Sequence, residues 1–316
     1  MSLTNFPNGL TSFGVPVLPG LLPIGPDSQY FFIDPTNGNN ANDGLTPQTA
    51  VASVATAYAK TVSGKNDIVF FIAGATGDTL TTALTWSNSY THLIGLSAPL
   101  PGVGQRCRIT GGETTDLTSV ITVSGSGCLF ANLQIANWAD ADADSGALVV
   151  SGERNVFLNC FIAGMGHATP AARAGSYSLS LTGSENFFER CTIGLDTITR
   201  AAANAELVVS GSASRNRFWD CDFQSQSDTA GHAAVKITGM DRYIEFKDCL
   251  FRNFSVNWAT ALTDAFLINV ATTHYVILRG ACQFVGFTGV GDTVTRIYGA
   301  GPAPNSGMFL STAPAG

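Results

Sequence analysis

Three aspartates in the stretch ADADADS have the chemistry to move protons or to bind a cation. Asp140, Asp142 and Asp144 alternate with alanine, so an extended backbone would turn all three carboxylates to one side. Like charges this close together raise a carboxyl pKa or attract a cation. The stretch falls in a variable loop between two strands, however, with no basic or aromatic platform repeated beside it. We therefore interpret it as a solvent-exposed loop.

The other acid, base and metal-ligand candidates are scattered along the chain. Histidines occur at positions 92, 167, 232 and 274, and this irregular spacing supports neither a triad nor a metal cluster. The oxygen-rich stretch from Asp34 to Asp43 has calcium-ligand chemistry, but Asn, Asp and Gly are also the residues that turns require. We expect a turn there, and we expect no catalytic residues, no metal site and no cofactor in the chain.

The seven cysteines recur with a spacing that indicates packing. Five of them, from Cys160 to Cys282, are separated by 31, 30, 28 and 33 residues, and a Phe lies three positions before each of the first four. A catalytic thiol or a metal site would need a partner such as His at a fixed offset, and the sequence has none. The pattern therefore predicts a core ladder of aromatic rings and free thiols. Its members are Phe157, Cys160, Phe188, Cys191, Phe218, Cys221, Phe246, Cys249 and Cys282.

A second repeated pattern defines the fold. A short β-branched run closed by glycine precedes these copies, as in LVVSG and LSLTG, so each repeat holds two strands and a variable loop within about 30 residues. Such a unit is one coil of a parallel β-solenoid, in which equivalent residues of successive coils lie about 4.8 Å apart and form columns. The sequence therefore predicts an all-β solenoid of about eight coils.

The chain divides into four predicted regions. Residues 1–29 form an extended Pro/Gly-rich arm, residues 30–66 a first strand, a turn and a capping helix, residues 67–300 the solenoid, and residues 301–316 a tail. The capping helix is expected within Thr46–Thr61, with Thr46 as N-cap and Pro47 as the first helical residue. The arm has too many prolines for a helix and is too apolar for a solvated linker, so we expect it to lie on a surface, either a partner's or its own solenoid. Its candidate partner-binding residues are Phe6, Leu10, Phe13, Val17, Leu18, Leu21 and Leu22.

The composition narrows the classes of partner. Charged residues make up 12% of the chain, the net charge is −7, and the 16 Lys and Arg residues are not clustered, so nucleic acid is not an expected partner. No stretch approaches the length of apolar residues that crosses a bilayer, and no secretion signal is expected. Free thiols fit assembly in a reducing cytoplasm.

The segment YFFIDPTNGNNANDGLTPQTA resembles the start of pectate-lyase-like proteins, which have a single-stranded right-handed parallel β-helix and include phage tailspikes and virion proteins. With the arm TNFPNGLTSFGVPV and the short Ala/Pro tail, the layout resembles phage proteins that decorate, or cement, capsids. This resemblance implies a structural, non-enzymatic virion protein. It would form a homotrimer on the capsid exterior, bind the major capsid protein and assemble in the bacterial cytoplasm.

Two alternatives remain open. A phage tailspike or receptor-binding protein would bind or cleave host surface polysaccharide, and a polysaccharide lyase or hydrolase would place carboxylates on one flank of the helix. The first is usually longer, with adaptor and trimerisation domains for which this chain has no room. A flank that combines surface aromatic residues with carboxylates would favour the first alternative.

Overall fold

The computed structural model describes residues 11–12, 15–16, 25, 27–100, 102–256, 261–269, 274–299 and 309–311. The chain winds into a parallel β-solenoid of about eight coils, which confirms the predicted fold class. Each full coil contributes one strand to each of three parallel sheets, which we call sheets I, II and III in the order in which the chain passes through them. Outside the solenoid, β1 (Thr11–Ser12) and β2 (Val15–Pro16) form a small antiparallel pair.

The bounds of the strands follow the repeat. Sheet I contains β3 (Tyr30–Ile33), β4 (Asp67–Ile72), β7 (Thr91–Leu96), β10 (Leu129–Ala131), β13 (Val156–Leu158), β16 (Phe187–Glu189), β19 (Asn216–Trp219), β22 (Tyr243–Lys247), β25 (Tyr275–Arg279) and β28 (Ile297–Tyr298). Sheet II contains β5 (Asp78–Leu80), β8 (Arg108–Gly111), β11 (Gln134–Asn137), β14 (Phe161–Ala163), β17 (Thr192–Ile193), β20 (Asp222–Gln226), β23 (Leu250–Phe254), β26 (Gln283–Val285) and β29 (Phe309–Ser311). Sheet III contains β6 (Leu84–Trp86), β9 (Ile121–Val123), β12 (Leu148–Val150), β15 (Tyr177–Leu181), β18 (Ala205–Val209), β21 (Ala233–Ile237), β24 (Leu262–Ile268) and β27 (Phe287–Gly291).

Sheet I carries the phenylalanine column that the repeat predicts. Phe157 pairs in register with Phe188, and Phe188 with Phe218, so all three side chains point into the core. Their rings stack with centroids 4.6 Å apart and planes within 5° of parallel. In-register pairing of parallel strands therefore repeats one favourable aromatic contact from coil to coil.

The cysteine column lies at the corner between sheets I and II. The residue before Cys160, Cys191, Cys221 and Cys249 has positive φ, for example Asn159 (50°) and Arg190 (52°), and this bend lets both the Phe and the Cys of these copies point inward although three positions separate them. All seven thiols are free and buried, and burial raises the pKa of Cys160 and Cys221. The last copy has one extra residue before Cys282, so Leu278 takes the place of the phenylalanine opposite Phe246.

A ladder of asparagines closes the opposite corner, between sheets III and I. Asn155 N donates to Asn186 Oδ1 at 2.9 Å, and Asn186 N donates to Asn216 Oδ1 at 2.8 Å. Asn186 Nδ2 also donates to the carbonyl of Gly152 at 3.0 Å. Each buried amide thus satisfies backbone groups that the turn leaves unpaired.

The capping segment is less helical than the sequence predicts. It forms a 3₁₀ turn at Pro47–Thr49, capped by Thr46 as expected, and a separate α-helix α1 (Val54–Tyr58). Val51 interrupts the helix because it forms a parallel bridge with Ile33 in β3. The other helices that the structure describes are α2 (Ala168–Ala171) and the 3₁₀ turns Gly102–Gly104 and Val294–Arg296. None of these described helices is long and apolar enough to cross a membrane.

Candidate functional site

The three aspartates of the ADADADS stretch connect two neighbouring loops through ion pairs and a hydrogen bond. Asp140 lies 2.9 Å from His167 Nδ1, Asp142 pairs with Arg173, and Asp144 accepts a hydrogen bond from the backbone of Gly175 at 3.2 Å. The Asp142 side chain is 87% exposed, as an exposed loop predicts. Each carboxylate already has a partner in the next coil, so the geometry favours loop packing over catalysis.

The oxygen-rich stretch near Asp34 builds turns. Asp34 Oδ1 accepts hydrogen bonds from the backbone of Thr36 and Asn37, and Asp43 accepts one from Thr49 Oγ1 at 2.6 Å. The hydrogen bond from Thr49 lowers the pKa of Asp43. Among the described residues, no three His, Cys, Asp or Glu side chains gather in a group that could hold a metal ion.

Two of the four histidines are buried inside hydrogen-bond networks. His92 Nδ1 accepts from the backbone of Leu129 at 3.0 Å, and His232 Nδ1 lies 2.8 Å from Asn204 Oδ1. Burial lowers the pKa of His92 to about 4 and that of His232 to about 3. Both rings are therefore neutral near pH 7, and their role in these networks is structural.

The arm residues proposed as partner-binding, Phe6, Leu10, Phe13, Val17, Leu18, Leu21 and Leu22, lie outside the described residues. The core-ladder residues are inside the solenoid and are therefore not accessible to a ligand. The surface has a groove at the corner between sheets I and II, which we call the corner groove.

The corner groove follows the stack of coils and has a volume of about 530 Å³. One end is apolar, because the sheet I residues that face outward there include Ile94, Leu129 and Leu158. The loop after β7 forms a wall of the groove: it contributes Pro99, and its buried Gln105 donates from Nε2 to the carbonyl of Asn159 at 3.3 Å.

The other end of the corner groove carries charge. Its lining residues are Arg190, Thr192, Asp220 and Asp222, which come from two successive coils. Arg190 and Asp220 occupy the positive-φ position of the corner, with φ of 52° and 51°. This conformation strains a side chain other than Gly, Asn or Asp by about 1 kcal/mol, so Arg190 stays there at a cost in stability.

Asp222 is the best candidate for acid–base chemistry in the corner groove. Arg252 Nη2 donates to Asp222 Oδ2 at 2.8 Å and to Gln224 Oε1 at 2.6 Å. The second carboxylate oxygen, Asp222 Oδ1, is buried and has no hydrogen-bond partner among the described residues. Burial raises the pKa of Asp222, the charge of Asp196 adds to the rise, and Arg252 opposes it. Burial therefore shifts the pKa of this carboxyl group upward, and one of its oxygens has no hydrogen-bond partner among the described residues.

An aromatic and charged surface continues from this end onto sheet I. Trp219 Nε1 donates to Glu245 Oε1 at 3.1 Å, and Arg279 Nη1 lies 3.1 Å from the same oxygen. The amine of Lys247 lies 4.8 Å from the centroid of the Trp219 ring. This flank combines an aromatic side chain with carboxylates and cations, as the polysaccharide-binding alternative predicts.

Sequence reasoning missed Asp222 and Arg252. Both face outward on sheet II and come from coils that the repeat separates by about one period, so no local motif joins them. The repeat itself carried the available signal: Arg252 pairs in register with Gln224, next to Asp222, and strand alignment alone would have placed the two charges side by side.

Comparison with known proteins finds relatives only at the level of fold. No family model and no curated protein matches the chain. A mutant pectin methylesterase solved with a bound hexasaccharide superimposes with a TM-score of 0.59 at 15% identity, covering 90% of each chain. Pectin methylesterase PemA from Erwinia chrysanthemi gives 0.57 at 15% identity, covering 89% of this chain and 92% of the other. The Aspergillus niger pectin methylesterase gives 0.55 at 17% identity over 90% of each chain.

These neighbours are right-handed β-helix proteins, in agreement with the predicted hand of the solenoid. They are also enzymes, and this contradicts our sequence-based expectation that the chain is a non-enzymatic structural protein. That expectation relied on the arm, on the overall layout and on the scattered positions of the acid and base residues along the sequence, none of which shows what the outward faces of the sheets bring together. At this level of identity the likeness establishes the fold, so any reaction must be argued from the corner groove.

Proposed function

We propose that the protein binds an extended polysaccharide in the corner groove and acts on it by acid–base chemistry at Asp222. The observation that carries the proposal is the half-buried Asp222 carboxyl group. Its pKa is raised, one of its oxygens is unpartnered among the described residues, and it lies at the charged end of a long groove. A carboxyl group with a raised pKa can donate a proton to a leaving oxygen and then take one from water.

The shape of the corner groove suits a chain-like ligand. Its lining residues come from five successive coils, from Ile94 in β7 to Asp222 in β20, a run of about 19 Å at the spacing of paired strands. Arg190 and Thr192 at the charged end supply hydrogen-bond donors for hydroxyl or carboxylate groups. A β-helix of this kind can hold such a ligand, since the pectin methylesterase with the similar fold was solved with a hexasaccharide.

The ion pair with Arg252 fixes the orientation of the reacting group. Arg252 binds Asp222 Oδ2 and Gln224 together, so the carboxyl plane is held, and a rotation of the Asp222 side chain would be needed to bring the buried Oδ1 to a substrate. Substrate binding would exclude water from the groove and raise the pKa of Asp222 further. We therefore assign proton transfer to Asp222 and its positioning to Arg252.

The proposal is tested with a panel of acidic and neutral polysaccharides. We expect retention of the protein in affinity gels that contain one of them, together with release of reducing ends, unsaturated sugars or ester-derived products. Asp222→Asn should retain binding and lose at least about 100-fold in product release, the usual contribution of a positioned acid or base. Asp116→Asn, which changes an exposed aspartate in the loop between β8 and β9, is the matched control. Absence of both binding and product over the whole panel would refute the proposal.

A second candidate function is decoration of a phage capsid, with the protein as a homotrimer on the virion exterior that binds the major capsid protein. The apolar arm and the low content of charge favour it, since extended apolar segments and polar flanks are suited to packing between subunits. Of the four regions predicted from the sequence, residues 1–29 or one flank of the solenoid would then contact the capsid.

Co-sedimentation with purified capsids tests this second candidate. Full-length protein should pellet with the capsids at a fixed stoichiometry, and protein that lacks residues 1–24 should pellet less. Light scattering of the free protein should give three times the mass of the chain. A monomeric protein that stays in the supernatant would contradict the decoration proposal and leave the polysaccharide proposal untouched.

A further inference from the structure

An apolar surface covers the outside of sheet I in the first coils of the solenoid. We call it the apolar outer face, and it consists of Tyr30, Phe32, Ile68, Phe70 and Ile94. These residues alternate with the inward-facing ones, such as Val69 and Phe71, and therefore point away from the core. The rings of Tyr30 and Phe32 lie 5.9 Å and 5.5 Å from that of Phe70, so the face is a continuous apolar patch.

The burial of this face is uneven. Ile68 is 0% exposed and Ile94 is 9% exposed, although both point outward. Ile68 lies between its in-register partners Tyr30 and His92 on the neighbouring strands, and these side chains shield it. Tyr30 is 38% exposed, and Phe32 and Phe70 are partly exposed. The face therefore leaves aromatic surface open, which a docked segment could cover.

The chain itself leads to this face. Gly25 N donates to Ser28 Oγ at 2.7 Å, and Ser28 Oγ donates to the carbonyl of Lys65 at 2.9 Å, two residues before β4 begins. Gln29 N also donates to Asp67 Oδ1 at 2.8 Å. Gly25, which follows residues 1–24 in the chain, is therefore held beside the strand that carries Ile68 and Phe70.

The length and composition of residues 1–24 suit the face. The face spans three strands, about 10 Å at the spacing of paired strands, and 24 residues can reach about 80 Å when extended. The segment is rich in Leu, Val, Phe and Pro, and prolines leave fewer backbone N–H groups that would need partners on an apolar surface. Attachment next to the face also gives the segment a local concentration of about millimolar or more, so modest contacts are sufficient for docking.

We propose that residues 1–24 dock on the apolar outer face of their own chain and cover Phe32 and Phe70. This inference does not rest on the polysaccharide proposal, since the face shares Ile94 with the apolar end of the corner groove and none of the charged residues of the groove.

Photo-crosslinking tests the proposal on the full chain. p-Benzoylphenylalanine in place of Phe70 should form adducts with residues 1–24, mapped by mass spectrometry after proteolysis. Unlabelled and ¹⁵N-labelled protein are mixed before irradiation, and adducts within one isotope show docking in the same chain. The same group in place of Tyr90, which is 53% exposed, is the control and should give no adduct with the arm.

Each other outcome at position 70 overturns the proposal. Adducts of mixed isotope would assign the cover to a second copy, adducts with another segment would assign it elsewhere, and no adduct would show that the arm is elsewhere in the free protein. In a second measurement, deletion of residues 1–24 should raise the fluorescence of the apolar dye ANS several-fold. Unchanged dye binding by a folded truncated protein would contradict the proposal as well.

Discussion

Replacing His92 by asparagine should change how the stability of the protein depends on pH. His92 is 1% exposed, its Nδ1 accepts a hydrogen bond from the backbone of Leu129, and its Nε2 lies 3.3 Å from Asn66 Oδ1. The neutral ring satisfies both contacts, whereas protonation would place a proton on the nitrogen that accepts. Asparagine can accept the same hydrogen bond through Oδ1 but does not titrate.

The magnitude follows from the pKa of the folded state. Burial lowers the pKa of His92 from 6.5 to about 4, a shift of about 2.5 units. Below pH 6.5 the unfolded chain therefore binds a proton that the folded chain excludes, and stability is lost as the pH falls from 6.5 towards 4. At 1.36 kcal/mol per unit the loss reaches about 3 kcal/mol at pH 4 and stays nearly constant below. It corresponds to roughly 4 to 5 °C in melting temperature for a chain of this size.

Melting temperatures by calorimetry at pH 7.5, 6, 5 and 4 measure this effect as the difference between the wild type and His92→Asn. Taking the difference cancels the contributions of the other titrating groups. One of them is Asp78: burial raises its pKa, so its contribution to stability changes with pH in the opposite direction to that of His92. We expect the variant to be less stable than the wild type at pH 7.5 and to recover relative to it by about 3 kcal/mol at pH 4. The partly exposed His167→Asn serves as control. Parallel pH curves for wild type and His92→Asn would refute the assignment of His92 as a buried neutral base.

Three further predictions concern the ladders and the corner groove. Asn186→Ala should lower the free energy of unfolding by about 2–4 kcal/mol in urea titrations, because it leaves the backbone N–H of the preceding rung and the carbonyl of Gly152 unpaired; a loss below about 1 kcal/mol would argue against the asparagine ladder. Phe188→Ala should cost about 3–5 kcal/mol and Phe188→Leu clearly less, measured in the same way, and equal costs would contradict ring stacking as the packing mode. Arg190→Asn should raise stability by about 1 kcal/mol, since it relieves a strained positive φ, while polysaccharide affinity falls; an unchanged affinity would remove Arg190 from the binding site.

The sequence predicted the interior because parallel pairing repeats the same environment in every coil. Phe188 meets Phe157 on one side and Phe218 on the other, so a residue that suits one rung suits the next and becomes visible as a period. Cys107 shows the limit of this signal. It occupies the cysteine column opposite Leu133, yet the copy around it lacks the phenylalanine spacing and was not recognised as a rung.

The outward residues could not be predicted in the same way. The outward column of sheet II that contains Asp222 has Phe161, Thr192 and Leu250 at the neighbouring rungs, so it has no repeated type to detect. The surroundings of the outward side chains differ from coil to coil, so packing does not require the same residue type at equivalent outward positions. The helix predicted within Thr46–Thr61 is interrupted for a related reason, because Val51 forms a bridge with Ile33 that the local sequence does not reveal.

The same contrast indicates where function lies in this fold. In the core of the solenoid, a substitution at one rung disturbs the packing of the two neighbouring rungs. The inward-facing columns therefore repeat Phe and Cys. Outside, a rung can change alone, and a carboxyl group placed once in a column, as at Asp222, needs only a neighbouring coil to supply its cation. Arg190 strengthens the argument, because its corner position holds Asn159 in the preceding coil and Asp248 two coils later, both residue types that tolerate positive φ. Arg154 and Arg215 hold a similar positive φ at the corner between sheets III and I, so strain alone does not mark a binding site. We propose that Arg190 serves binding because it lines one groove together with a carboxyl group of raised pKa.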